Sequence, residues 1–228
     1  MLLLIIAAIA WVALHVIVAG PLRAGLIAGV GEARYRGIFS GLSAVSLAFL
    51  IWAFGRAPYV EFWAPSPALA VVPLLVMPVA LLFLVAALRP SNPTLAGPDM
   101  LLKGTLPVLG FTKVTRHPML WGFSLWAVSH MVANGDAAAW LFFGAFLVTA
   151  LNGMVSIDRK RAAKFGEDWQ VFIGKTSIIP FAAMLEGRQR FRLNDLGMVN
   201  IAVTVVLYAV ILAFHHIMTG VPAIPYYN

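Results

Sequence analysis

Six stretches of this chain contain no aspartate, glutamate, lysine or arginine and are apolar enough to cross a lipid bilayer as helices. They are Leu2–Gly20, Ile38–Gly55, Pro67–Leu88, Pro118–Ala133, Ala137–Ile157 and Val199–Thr219. A hydrocarbon core about 30 Å thick takes about 20 helical residues, and within it each backbone N–H and C=O must be satisfied inside its own segment. The pattern predicts an all-α fold: a polytopic membrane helix bundle of about six transmembrane helices. With no internal repeat or low-complexity tract, residues 1–228 read as a single domain.

Composition supports the same class. The chain is 61% hydrophobic and 11% charged, far too apolar for a soluble domain of 228 residues. Its net charge of +7 resides in the loops between apolar stretches. Membrane topology explains it, and no nucleic-acid partner is expected. There is no cysteine, which excludes disulfides, cysteine-held iron–sulfur clusters and covalently attached haem. The first apolar stretch has no lysine or arginine before it, so it reads as a retained membrane helix rather than a signal peptide.

The basic residues set an orientation. Loops one, three and five hold Arg23, Arg34 and Arg36, then Arg89, Lys103, Lys113 and Arg116, then Arg159, Lys160, Arg161, Lys164, Lys175, Arg188, Arg190 and Arg192, against Arg56 alone on the other side. The positive-inside rule puts these loops in the cytoplasm and both termini outside it. Asn134-Gly135-Asp136 is a tight turn that makes helices four and five antiparallel neighbours. In the fifth loop, Ala162, Phe165, Trp169 and Phe172 recur at helical spacing among charges and predict a short amphipathic helix on the membrane surface, ended by Pro180. Gly41, Gly122, Gly144 and Gly153 are candidates for close helix approach.

The chemistry is concentrated in Thr115-Arg116-His117-Pro118, which opens the fourth stretch, and in His130 further along it. His15 lies inside the first stretch. An imidazole in lipid must face protein and find a partner, either a backbone carbonyl or a metal. Two lone histidines on separate helices, with aromatic neighbours and no acidic group, suit bis-histidine haem better than zinc, which normally adds further ligands. His117 stands thirteen residues from His130, about 19 Å along a helix, so one iron cannot take both. At the cytoplasmic boundary His117 reads as an interfacial cap, a phosphate contact or a group with a catalytic or haem-propionate role. By this topology His15 falls nearer the cytoplasm than His130. Tilt, or a first helix that continues past Gly20, would have to bring them level; otherwise His15 with His117 becomes the better pair. Arg23 and Arg116 are placed to neutralise haem propionates. His215 and His216 lie near the outer end of the last stretch and read as interfacial.

His15 with Gly20 and Arg23, followed by Thr115-Arg116-His117-Pro118, Trp126 and His130, resembles the NnrU family of bacterial membrane proteins over nearly the whole chain. That family is related to plant and cyanobacterial 15-cis-zeta-carotene isomerase. The resemblance implies a non-covalent haem b with His15 and His130 at the metal-ligand positions, and redox-dependent cis–trans isomerase-like chemistry. It also implies an association with nitrite and nitric oxide reduction in denitrification. The partners implied are the lipid bilayer, a hydrophobic or small gaseous substrate, and a redox partner.

Two other readings stand beside it. Arg116-His117-Pro118 through Gly122, then Lys164-Phe165-Gly166-Glu167-Asp168-Trp169 and Ile179-Pro180-Phe181, resembles the isoprenylcysteine carboxyl methyltransferases and phospholipid methyltransferases, which use S-adenosylmethionine. Their acidic pair is here Asp158-Arg159. The third reading is non-enzymatic: a subunit that delivers haem or electrons to a nitrogen-oxide reductase, or helps to assemble it.

Overall fold

The computed structural model describes residues 1–88, 92–94 and 108–224. Of the loop charges counted above, Arg89 and Lys103 lie outside them. The described residues form helices joined by turns, with no strand beyond a lone bridge between Glu61 and Asp136. The helices are α1 (Leu2–Ala13), α2 (Arg23–Val30), α3 (Glu32–Phe54), α4 (Pro67–Ala87), α5 (Pro118–Ala133), α6 (Ala137–Phe165), α7 (Glu167–Lys175), α8 (Ala182–Leu185) and α9 (Met198–Thr219).

Four of these, α3, α4, α6 and α9, are long and apolar enough to cross a membrane. A fifth span arises if α1 and α2, which bend by 75° at their junction, count as one. The expected fourth span, α5, has 16 residues, about 24 Å of helix. Two boundaries differ from expectation for local reasons. Past Ala13 the first helix widens into a π-helical turn over Leu14–Val18, where Ala19 N–H reaches back to the Leu14 carbonyl at 3.0 Å and Leu22 N–H to that of Ile17 at 3.1 Å. In the fifth loop α6 runs on to Phe165, and Gly166 (φ +53°) breaks the chain before α7. The expected surface helix is therefore two pieces. Trp169 and Phe172 of α7 are 0% and 1% exposed and pack on Ala162, Phe165 and Val108 rather than on lipid.

The core is formed where α1, α3, α5 and α6 meet, around Leu4, Ala7, Trp11, Leu50, Ala127, Phe142 and Phe143. The α5–α6 turn is tight, as its sequence requires. Asp136 accepts hydrogen bonds from Ala138 N–H and Ala139 N–H at 2.9 and 3.0 Å, capping α6. Phe62 N–H donates to the Gly135 carbonyl at 2.7 Å, and Trp63 Nε1–H to Val132 at 3.2 Å, so the loop after α3 closes over this end. In α4, Pro78 has no N–H to offer the carbonyl of Leu74. Tyr208 of α9 donates its hydroxyl to that carbonyl at 2.7 Å, which satisfies it and fixes α9 against α4.

Of the four glycines expected at close approaches, Gly122 and Gly153 are so placed, whereas Gly41 and Gly144 face open space. A Cβ at Gly122 would lie 2.7 Å from Leu84 Cγ and 2.9 Å from the Ala80 carbonyl oxygen, so α4 and α5 meet there backbone to backbone. Gly122→Ala is expected to force them apart and cost about 1–3 kcal/mol. Gly144→Ala, with nothing within 4 Å and inside α6, should be neutral or stabilising and provides the comparison in a detergent melt.

Candidate functional site

Near the start of α5, the Arg116-His117 turn is built into the protein by residues far along the chain. Arg116 Nε–H and Nη2–H donate to one carboxylate oxygen of Asp158 at 2.8 and 2.6 Å. His117 Nε2 meets the other oxygen at 2.9 Å. Segment 177–181 holds the turn from outside. Arg116 N–H donates to the Ser177 carbonyl (2.9 Å), Thr115 Oγ–H and Trp121 Nε1–H donate to that of Ile178 (2.6 and 2.8 Å), and Phe181 N–H donates to that of Val114 (2.8 Å). Phe181, at φ 67°, is the one non-glycine residue with positive φ among the described residues. This clamp joins two of the three segments in which the methyltransferase resemblance lies, the first and the last. Here its arginine and histidine face inward on Asp158, and the His117 side chain is 0% exposed. Burial pushes His117 below the usual imidazole range against the opposing pull of the Asp158 hydrogen bond and charge, and Arg116 adds to the depression. Its Nδ1 has no hydrogen-bond partner among the described residues.

His15 lies on the π-helical turn, with its ring 4.0 Å from that of Trp11 and 5.5 Å, edge-on, from Phe39. His130 lies in the last turn of α5, 5.0 Å from Phe143 and 5.8 Å from Trp126. The two share one local device. In each, Nδ1 is 2.8 Å from the carbonyl of a tryptophan four residues earlier, Trp11 for His15 and Trp126 for His130. A carbonyl only accepts, so Nδ1 carries the proton, and in a neutral ring Nε2 keeps a lone pair. Among the described residues no protein group occupies either Nε2, and neither atom is a fully buried orphan.

Aromatic rings bridge the two histidines: Trp11 to Phe146 at 5.0 Å and Phe146 to Trp126 at 5.1 Å. The imidazoles themselves are not in contact. His130 meets Phe143 of α6, while Trp11, one turn before His15, meets Phe146, so His15 lies deeper along α6. His117 has Nε2 on Asp158, which leaves Nδ1 as its lone-pair atom, and that atom is enclosed by protein. Arg23 stands apart from Arg116, at 3.5 Å from Glu32 and with its guanidinium 5.7 Å from the Tyr35 ring centre. His215 bonds the Val221 carbonyl through Nδ1 at 2.7 Å, near the end of α9. No group of three or more potential metal ligands occurs among the described residues, and a two-histidine haem would need none.

Sequence reasoning had treated Asp158 only as a departure from the methyltransferase pattern. It is the one carboxylate in α6, and it stands among basic residues near the end of that helix. That isolation was the available signal. The Trp-x-x-x-His spacing, present at both 11–15 and 126–130, was the other.

The helices and this site define an all-helical protein of membrane type. The NnrU protein family profile matches residues 3–223, and the chain belongs to that family. It is 36% identical over 80 residues to the 15-cis-zeta-carotene isomerase, chloroplastic, of Arabidopsis thaliana, and 32% identical over 81 residues to the Zea mays protein of the same name. These alignments cover 35% and 36% of this chain and 22% of each relative, so the matched stretch spans about a fifth of the plant proteins. No solved structure matches.

Proposed function

We propose that this NnrU protein binds one haem b through His15 and His130 and carries out redox-dependent, isomerase-like chemistry on an apolar substrate in the membrane. The observation that carries the reading is the paired Trp11–His15 and Trp126–His130 arrangement, which fixes each imidazole with Nε2 presented as a donor. Such backbone anchoring of Nδ1 is the usual second-shell partner of a ligating histidine. Haem would supply a one-electron couple whose potential burial and the two imidazoles would set. The chain's own part is to orient the rings through the tryptophan carbonyls and to exclude water with Trp11, Trp126, Phe143 and Phe146. A modest tilt or slide of α1 against α6 would bring the imidazoles level.

The substrate class follows from the names of the plant relatives: a long polyene, which an apolar helix bundle rich in aromatic rings suits. The bundle is read with six spans, α5 included, in a bacterial inner membrane with periplasmic termini and with α7 at the cytoplasmic interface. A second reading, electron delivery to a nitrogen-oxide reductase in denitrification, is favoured by the run of rings from Trp11 through Phe146 to Trp126.

Absorption spectra of the detergent-purified protein, oxidised and dithionite-reduced, test the cofactor. The parent is expected to show a low-spin haem b, and His15→Ala and His130→Ala each to lose most of it. Full haem occupancy in both variants, or a parent that takes up none when haem is supplied, would sink the reading. Retention of six-coordination in both redox states would favour electron delivery over isomerisation.

A further inference from the structure

The segment that clamps the Arg116–His117 turn also forms a wall of a groove of about 500 Å³, whose lining includes Arg116, Ile173, Ile178, Ile179, Glu186 and Arg188. That volume is within the range of small-molecule sites. Bonds within the protein fix the walls. Thr176 Oγ–H donates to the Phe172 carbonyl at 2.7 Å, and Ser177 Oγ accepts Ala183 N–H at 3.0 Å. Arg188 Nη1–H donates to the Gly174 and Thr176 carbonyls at 2.9 and 2.7 Å. The groove is therefore preformed, and a ligand has little left to order in it.

Two charged groups on the lining keep hydrogen-bonding atoms in reserve. Arg116 is 6% exposed and commits Nε and Nη2 to Asp158. Its Nη1 has no hydrogen-bond partner among the described residues, yet it is not one of the fully enclosed polar atoms. Glu186 takes Arg188 Nε–H at 2.6 Å and Nη2–H on Oε2 alone, which leaves Oε1 to accept. The charges are already matched in pairs, Arg116 with Asp158 and Arg188 with Glu186. A ligand carrying both an anionic oxygen and an N–H cation complements such a lining better than a net anion or cation does. The border is apolar. Ile179 on the lining is 64% exposed, and Phe181 and Leu185, each one residue before a lining residue, are 51% and 88% exposed, a surface suited to acyl chains.

We propose that this groove binds the headgroup of an aminophospholipid, with a phosphate oxygen on Arg116 Nη1 and the ammonium on Glu186 Oε1. Phosphatidylethanolamine presents both groups, whereas phosphatidylcholine has no N–H for Glu186 and phosphatidylglycerol has no cation. The site involves no haem and is independent of the reading under Proposed function. Because Arg116 is tied to Asp158, a bound headgroup would also brace the turn that opens α5.

Full-length protein in detergent, as parent and Glu186→Gln, would be titrated with short-chain forms of these three lipids and followed by native mass spectrometry. The parent should hold phosphatidylethanolamine about tenfold more tightly than the other two, and Glu186→Gln should erase that preference without changing their binding. The Glu186 side chain is 57% exposed, so this change leaves the fold intact. Arg116→Lys keeps a cation for Asp158 but removes the Nη1 donor, and should weaken all three lipids. The chain has no cysteine, so Ile179→Cys places a single thiol on the lining, and phosphatidylethanolamine should slow its reaction with a maleimide. Equal affinity of the parent for the three lipids, a preference that survives Glu186→Gln, or unslowed thiol labelling would overturn the proposal. So would protection of that thiol by S-adenosylmethionine and not by phosphatidylethanolamine, which would assign the groove to a soluble zwitterion.

Discussion

Asp158→Ala is expected to destabilise the protein by about 3–5 kcal/mol, the usual cost of stripping the partner from a buried charge. The carboxylate accepts two hydrogen bonds from Arg116 and one contact from His117, and both partners are buried. Without it, a guanidinium is left with no counter-ion next to a histidine whose ring has no route to water. For a chain of this length the melting temperature should fall on the order of 10 °C. Asp158→Asn keeps the shape but not the charge, and should fall between parent and Asp158→Ala. Equal melting curves for parent and Asp158→Ala would remove the turn from the list of structural anchors. His117 adds a pH dependence of known sign. Its folded pKa lies below the usual imidazole value, so the unfolded chain takes up a proton that the folded chain refuses. Stability present at pH 7 is then lost as pH falls below about 6.5. His117→Ala should flatten that part of the pH profile.

Gly20→Ala is expected to have the largest effect of any single added methyl group near the histidines. A Cβ at Gly20 would stand 2.1 Å from the Val16 carbonyl oxygen, a backbone atom that cannot yield without unwinding the π-helical turn. The cost should be about 1–3 kcal/mol, and the same movement would displace His15 and the start of α2. Haem occupancy, if the cofactor is held as proposed, should drop severalfold along with stability. Gly25→Ala, five residues on with nothing within 4 Å, lies inside α2, where alanine is the better helix former by about 1 kcal/mol. It should therefore be neutral or stabilising. Gly20→Ala and Gly25→Ala behaving alike would mean that the π-helical turn does not depend on Gly20.

Much of the architecture was legible because it depends on neighbours in sequence. A helix covers each of the six apolar stretches, although one is bent and α5 is short. The α5–α6 turn was readable from Asn134-Gly135-Asp136, since a glycine and a capping aspartate act within a few residues. The two histidines within apolar stretches were readable too, because an imidazole in an apolar run is conspicuous wherever it falls. The bounds of the surface helix are not legible in its periodicity, which runs straight through Gly166, and only the backbone at φ +53° shows where the chain breaks. Gly41 and Gly122 are the same residue type in similar apolar runs, yet only Gly122 meets another helix.

The sequence by itself determined a membrane-type helical chain, its basic loops, and the Trp-x-x-x-His spacing that sets the tautomer of His15 and His130, since all of these act within a turn or two of helix. Tertiary structure alone decided that Arg116 and His117 close on Asp158 some 42 residues away, and how far apart along α6 the two histidines lie. Those outcomes depend on the rotation and depth of each helix against its neighbours. Rotation and depth are set by packing at contacts such as Gly122 against Ala80 and Tyr208 against Leu74, which join residues with no proximity along the chain.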